Sequence, residues 1–514
     1  MWLAMLGLLN GIIMGLVYSV KELWFGVFFV LVPFAGIMMS KKKTSLFLIG
    51  YGLGYYIIGL SFLFKLTGVL PLPAYTANAV LALAVLALSA CLTFLMWLAM
   101  APFGFLKRGS GSDIFLLAAL YTLGEWLPEI VPVLSFPWFR LAVVATSAPL
   151  FIQGASLLGS LFVSFLIVLL NGMIARLLIR RRLEFSSGLA GILLGAVLLY
   201  GEVRLYQSAP QEGHQVLVVQ GNHEGSEKWA MRSGDILKDY ERLIYEYADS
   251  PVALVVLPET ALPYTVAENK ETTRTLSLWS RRLPAEILLG AIEREETEAG
   301  EEMFYNVVYH VTEQGIDRTV YRKQVLVPFG EYLPFENILG KYVPWLLDFM
   351  AGNYFEAGVS PVIFETGLGR AGTLICYESV FSKLAMESVR EGAQFLVIVS
   401  NDSWFQDTPA MREHHAHAIL RAVEEDRYVI RAGNTGISSI IDNRGRVVAG
   451  MKEKESGGFC ALAAPVSELS VYAGTGDIFP VVLCGIYILL LLGHVCVLIF
   501  SAFSDIINRQ YKNL

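Results

Sequence analysis

Eight apolar segments, 17 to 27 residues long, constrain this chain more than any other feature. A bilayer core of about 30 Å takes roughly 20 mainly apolar residues per helix, and helices or closed barrels alone satisfy their backbones there. The segments are 3–20, 23–39, 44–64, 79–105, 113–134, 154–175, 187–204 and 479–502. Glu125, Pro128 and Glu129 interrupt the end of the fifth. Residues 1–205 are therefore expected to form transmembrane helices one to seven, and 477–504 the eighth. The stretch from Met1 to Val20 has no basic flank and no small-residue cleavage site. It is expected to be a retained span, not a removed signal peptide.

Charge tests that count. Lys41, Lys42 and Lys43 lie between spans two and three, and Lys107 and Arg108 between four and five. Arg176, Arg180, Arg181 and Arg182 lie between six and seven, and Arg509 and Lys512 follow span eight. With eight spans, all four clusters fall on one side, which the positive-inside rule makes cytoplasmic. The long segment between spans seven and eight is then predicted to be extracytoplasmic. Only 17% of the chain is charged, against about 25% in soluble domains. Residues 1–204 nevertheless carry a net +7 and residues 205–476 a net -14. That shift divides the chain into two domains. An acidic soluble half without a basic patch gives nucleic acid no surface. Five cysteines without CxxC or regular spacing give neither a zinc site nor a disulfide scaffold.

The segment 214–465 alternates short β-rich runs with helix-compatible stretches. Strands are predicted at Val216–Gln220, Ala253–Leu257, Ile287–Ala291, Val307–Val311, Val320–Val327, Gly372–Ile375, Phe395–Val399, Tyr428–Arg431 and Ile437–Ile441. Helices fit Ser226–Ala248, Thr272–Leu283, Phe381–Glu391 and Met411–Asp426. This pattern predicts an α/β domain with buried sheets.

Three apolar strands each lead to a reactive residue: Glu259, Lys323 and Cys376. Taken singly, each has an ordinary explanation as a turn, edge or core residue. Together they have a chemistry. A thiol becomes a good nucleophile once deprotonated, and Glu259 is suited to take the proton. Attack on an ester or amide carbonyl builds an oxyanion, which Lys323 and the N–H groups of Tyr377 and Ser379 are placed to stabilise. Glu331 is a second carboxylate able to orient Lys323 or assist proton transfer.

These segments resemble the carbon–nitrogen hydrolase (nitrilase) superfamily, with Glu, Lys and Cys in that chain order. Asn401 to Phe405 and the following His414, His417, Arg421 and Glu424 fit the same resemblance. More narrowly, the chain resembles the bacterial apolipoprotein N-acyltransferase family. Gln220-Gly221-Asn222, Trp229, Pro258-Glu259-Thr260, the run from Lys323 to Pro334, Cys376-Tyr377-Glu378 and Phe136-Pro137-Trp138 carry that likeness. It implies an αββα sandwich beside the membrane helices. It implies Glu259 as base, Lys323 as oxyanion stabiliser and Cys376 as nucleophile, with Trp229, Glu331, Tyr377 and Glu378 in support. The implied reaction passes a fatty acyl chain from a phospholipid, typically phosphatidylethanolamine, through a Cys376 thioester. The acceptor is the α-amine of an apolipoprotein's diacylglyceryl-cysteine. No cofactor or metal is implied, and the expected location is the bacterial inner membrane with the catalytic domain periplasmic.

His414 and His417 share a helix face but lack the carboxylate partner of a zincin motif. Cys460 lies in a plain strand, and a bridge to Cys376 would abolish its nucleophilicity. The apolar run 342–351, with Trp345, Leu346 and Phe349, is read as a lid at the lipid surface or an ordinary core helix. Glu125, Glu129 and Arg140 are expected to be interfacial residues that reach water, with headgroup contact the alternative. The competing functions are a membrane-anchored amidase, whose acceptor is water, and a non-catalytic transporter or receptor. The first needs at most one anchor, and the second predicts a damaged Glu–Lys–Cys set and ionisable residues deep in the spans.

Overall fold

The computed structural model describes residues 1–41, 43–132, 135–207, 213–223, 231–248, 251–298, 300–345 and 354–512. Seven helical segments in them are long and apolar enough to cross a membrane: Trp2–Ser19, Lys21–Ser40, Ser45–Gly68, Ala74–Leu106, Ser160–Arg180, Phe185–Tyr206 and Ile478–Ser501. The remaining expected span is helix Asp113–Ile130, 18 residues long and carrying Asp113, Glu125 and Glu129. Its composition falls short of a span, yet it traverses the bundle. At its start, the Lys107 ammonium donates to the carbonyls of Met38 and Lys41, and Arg176 Nη2 donates to Gly109 O at 3.0 Å. At its end, Glu129 pairs with Arg140, which also donates to Ser382 Oγ of the second domain at 2.7 Å. At 1.5 Å per residue the helix covers about 27 Å, close to the bilayer core. Three basic loops therefore gather at one end of the bundle and the α/β domain packs on the other.

The first and third segments touch backbone to backbone. A Cβ on Gly11 would lie 2.0 Å from Tyr51 O, so a glycine is required where these helices cross.

The second domain is two sheets. One runs in the order β13 (Gly457–Ala463), β1 (His214–Gln220), β2 (Leu254–Val256), β4 (Glu286–Glu296), β5 (Glu302–Thr312) and β6 (Gly315–Arg322), with β3 (Leu262–Thr265) joined to β4. The other runs β12 (Val447–Met451), β11 (Ser438–Ile441), β10 (Tyr428–Gly433), β9 (Phe395–Ser400), β8 (Gly369–Ile375) and β7 (Ile363–Thr366). The inner strands β1, β2 and β4, and β8, β9 and β10, are parallel. Alternate residues face opposite layers. Val216 and Val218 pack between the sheets with Ile375, Val397 and Val399, whereas Leu217 and Val219 pack on helix Ser233–Tyr247. Burial on both faces explains why these strands read as continuous apolar runs. Helices Ser382–Arg390 and Pro409–Glu425 cover the second sheet and share one apolar core with the membrane helices. The order helix, sheet, sheet, helix is thus fused to the bundle through its last layer.

Three expectations change. The strand over Val320–Val327 ends at Arg322, because the Glu378 carboxylate takes the N–H groups of Gln324 and Val325 that a ladder would use. The helix over Ser226–Ala248 begins at Ser233 among the described residues. Glu125 and Arg140 do not reach water, at 3% and 1% exposed, and the Glu129 side chain is only 8% exposed. The docked α/β domain covers that end of the bundle, where Arg140 pairs with Glu129. Glu125 Oε1 accepts from Leu141 N at 3.1 Å, and Arg140 also donates to Ser160 Oγ at 2.7 Å. Trp138 completes the junction, its indole N–H donating to Glu413 Oε2 at 2.7 Å.

Candidate active site

Glu259, Lys323 and Cys376 come together at the strand exits. Cys376 follows β8 directly, with φ at +52° in the left-handed region, and opens the 3-10 turn Cys376–Val380. This sharp elbow is held from below. His414 Nε2 lies 2.9 Å from both Cys376 O and Ser379 Oγ, and its Nδ1 lies 2.8 Å from Asp402 Oδ1. Arg431 Nη2 donates to Asp402 Oδ2 at 2.7 Å, and both residues are fully buried. Burial opposes ionisation of Asp402, but Arg431 and His414 hold its carboxyl well below the ordinary range.

Glu259 follows β2 and Pro258, and the adjacent Thr260 has φ +44°. Its Oε2 accepts from Asn401 N at 2.7 Å, and its Oε1 from Asn306 Nδ2 at 2.7 Å and Lys323 Nζ at 3.4 Å. Lys323 Nζ also donates to Glu331 Oε1 at 2.7 Å, and Glu331 Oε2 accepts from Val327 N at 2.8 Å. Lys323 is 1% exposed. Burial alone would favour its neutral amine, but Glu331 and then Glu259 push its pKa above the ordinary value. Burial, then the Glu259 charge, push the Cys376 thiol upward against the pull of Lys323. The resting sulfur is therefore a protonated thiol, and a proton acceptor is required before it attacks.

Glu378 accepts from Ile375 N at 2.7 Å and Tyr321 OH at 2.8 Å with one oxygen, and from Gln324 N at 2.6 Å and Val325 N at 3.1 Å with the other. It ties the elbow to the chain that carries Lys323. Burial raises it to about 7 against those donors. Tyr377 turns toward the membrane domain, its hydroxyl donating to Ser135 O at 2.8 Å and its ring stacking on Phe136. Trp229 lies outside the described residues, as does most of the apolar run 342–351, where Trp345 is half-buried. A cavity of about 480 Å³ opens at this seam, bounded by Ser135, Gln324, Leu326, Tyr332 and Phe355.

Asn306 and Arg431 are missing from the sequence-based set, and Asp402 entered it only within the Asn401–Phe405 resemblance. Asn306 Nδ2 bridges Glu259 and Glu331, at 2.7 and 3.1 Å. A polar residue inside the apolar run of β5 was the available signal. Sγ of Cys376 and ligand atoms of Asp402 and His414 lie within 4.8 Å of one another. A metal there would have to break a hydrogen bond at one of the two His414 imidazole nitrogens.

Gly290 of β4 supports the Glu259 turn. A Cβ there would lie 2.3 Å from Pro258 O and 2.7 Å from Glu259 Cα. Gly290→Ala is expected to lower kcat about 100-fold through misplacement of Glu259, with a stability cost of about 1–3 kcal/mol. Steady-state kinetics beside thermal melting checks this, and an unchanged kcat contradicts it.

A buried thiol on a strand-exit elbow, with an ammonium bridging two carboxylates, on paired sheets fused to a helical bundle, defines a membrane-embedded enzyme of the carbon–nitrogen hydrolase type. Residues 215–467 match the family model described as carbon-nitrogen hydrolase, and residues 10–173 that described as apolipoprotein N-acyltransferase N-terminal domain. The chain is 34% identical over 447 residues to an apolipoprotein N-acyltransferase of Allorhizobium ampelinum, covering 84% of this chain and 83% of that one. It is 32% identical to that of Agrobacterium fabrum, covering 78% and 76%, and 29% identical to that of Shewanella oneidensis, covering 89% and 88%. The chain belongs to the apolipoprotein N-acyltransferase family.

Proposed function

We propose that this chain moves a fatty acyl group from a phospholipid, phosphatidylethanolamine above all, to the α-amine of an apolipoprotein's diacylglyceryl-cysteine. Glu259 takes the Cys376 thiol proton, and the sulfur attacks the ester carbonyl of the donor. Lys323 and the N–H groups following Cys376 stabilise the tetrahedral oxyanion. The C–O bond breaks, the lysophospholipid alcohol leaves with the proton from Glu259, and a thioester remains on Cys376. The acceptor amine then attacks the thioester, gives its proton to Glu259, and the C–S bond breaks to restore the thiol. Glu331 and Asn306 keep Lys323 and Glu259 in register, and Glu378 and Tyr377 fix the elbow. Trp229 is assigned a supporting substrate contact.

The observation that carries this reading is where the thiol lies. Tyr377, the residue after Cys376, is hydrogen-bonded to Ser135 of the membrane domain, and the 480 Å³ cavity opens at that seam. Both substrates are lipids, and this is where lipids arrive. We divide the chain into membrane helices in 1–205, a catalytic domain in 214–465 and a last span in 477–504. We assign the catalytic domain to the periplasmic side of the inner membrane, a reading that the basic loops at the far end support.

The acceptor separates this reading from a nitrilase-type amidase. With phosphatidylethanolamine and a diacylglyceryl-cysteinyl peptide, the expected product is the N-acylated peptide, with little free fatty acid. Fatty acid released at one rate with and without peptide contradicts the transferase reading.

A further inference from the structure

The end of the bundle away from the catalytic domain holds a second built cavity. Helix Ser160–Arg180 starts against the catalytic domain, where Ser160 N donates to Glu424 Oε1 at 2.6 Å. Its 21 residues carry Arg180 about 30 Å from there. An open cavity of about 710 Å³ lies at that point, walled by the loop 109–112 and by residues 182–186. Arg176, Arg180 and Arg182 line it, and Glu184 is the one acidic residue in its described wall, leaving the wall at +2.

Two of the three arginines are held by hydrogen bonds. Arg176, 4% exposed, donates Nε and Nη2 to the Glu184 carboxylate at 2.8 and 3.2 Å, and Nη2 also to Gly109 O. Arg180 Nη2 donates to the same carbonyl at 3.2 Å. One carboxylate cannot neutralise three guanidinium groups. The hydrogen bond from Arg176 holds the Glu184 carboxyl below its ordinary range against slight desolvation, and the fields of Arg180 and Arg182 reinforce it. A Cβ on Gly111 would lie 1.8 Å from Ser186 Oγ, so the two loops meet closely at the cavity floor. Leu183 and Phe185, in the same wall, are 77% and 90% exposed. Charges that serve only to set topology need not converge on one cavity, and a cavity for a free anion needs no apolar rim. Guanidinium forks match phosphate oxygens, and the rim suits acyl chains.

We propose that this cavity binds a phosphate group, carried by a phospholipid whose chains lie over Leu183 and Phe185, at a site separate from the active site. The test uses the full-length protein, delipidated in detergent, with native mass spectrometry and melting as readouts. The probes are dioleoylphosphatidate, dioleoylglycerol and inorganic phosphate. The wild-type protein is expected to hold phosphatidate at least about tenfold more tightly than R180A/R182A does, each basic residue near a lipid phosphate contributing to the attraction. Dioleoylglycerol should not distinguish the two proteins. The exposed single substitution Arg182→Glu leaves the other contacts intact and should weaken phosphatidate at least about threefold. Arginine-dependent binding of inorganic phosphate alone supports the phosphate site and moves its carrier to solution. Equal phosphatidate binding in the wild type and in folded R182E overturns the proposal.

Discussion

Lys323→Met is expected to lower the rate of thioester formation by at least about 10³-fold and to destabilise the catalytic domain as well. Two effects combine. Loss of one oxyanion donor costs about 10²–10³ in turnover. The substitution also leaves Glu259 and Glu331 facing each other without the ammonium that lies 3.4 and 2.7 Å from them. Removing one partner of a buried pair costs about 3–5 kcal/mol. The pH dependence of that deficit follows from the pKa of Lys323, which is raised above its ordinary 10.5. A raised lysine contributes stability that is complete below its unfolded pKa and lost as pH rises through the folded one. The deficit of the variant should therefore be constant from about pH 6 to about pH 9. Single-turnover kinetics and thermal melting measure both parts. A loss under tenfold with unchanged melting would remove Lys323 from the reaction.

Arg431→Met is expected to lower the melting temperature by on the order of 10 °C. Its guanidinium is the cation beside Asp402, both are fully buried, and the pair supports His414 beneath the Cys376 carbonyl. Without Arg431 the carboxylate stays buried with a histidine and Ser400 Oγ. Asp402 is held below its ordinary 3.8. A depressed carboxyl contributes stability that is complete above the unfolded value and lost as pH falls through the folded one. The pair thus acts in full at neutral pH, and wild-type protein should lose this contribution only in strong acid. The double variant D402N/R431M should recover part of the loss, because it no longer buries an unpaired charge. Equal melting of the two variants would show that the charge pair is not what the site needs.

What could be read in advance depended on how local the physics is. Long apolar runs and buried parallel strands are local patterns, so the bundle and both sheets were legible. So were Glu259 and Cys376, each following an apolar run whose direction the chain itself sets, whereas Lys323 was singled out inside the predicted strand Val320–Val327. Contacts between distant segments were not. The end of β6 at Arg322 depends on Glu378, 54 residues from Gln324. Arg140 and Glu129 were expected in water because hydropathy carries no sign of the domain that covers them. Arg431 is an ordinary polar residue until the fold closes it onto Asp402. Helix Asp113–Ile130 shows the converse: its acids argue against a span, and the burial of Glu125 and Glu129 at the junction explains how it carries them.

In the proposed reaction Cys376 carries the acyl group between two lipids. The direct measurement is mass spectrometry of the full-length protein after incubation with acyl-labelled phosphatidylethanolamine and no acceptor. The expected result is one acyl group on the peptide containing Cys376, released by neutral hydroxylamine, transferred to the amine of an added diacylglyceryl peptide, and absent from Cys376→Ala. Full transfer activity in Cys376→Ala, or a hydroxylamine-resistant label on another residue, would contradict it.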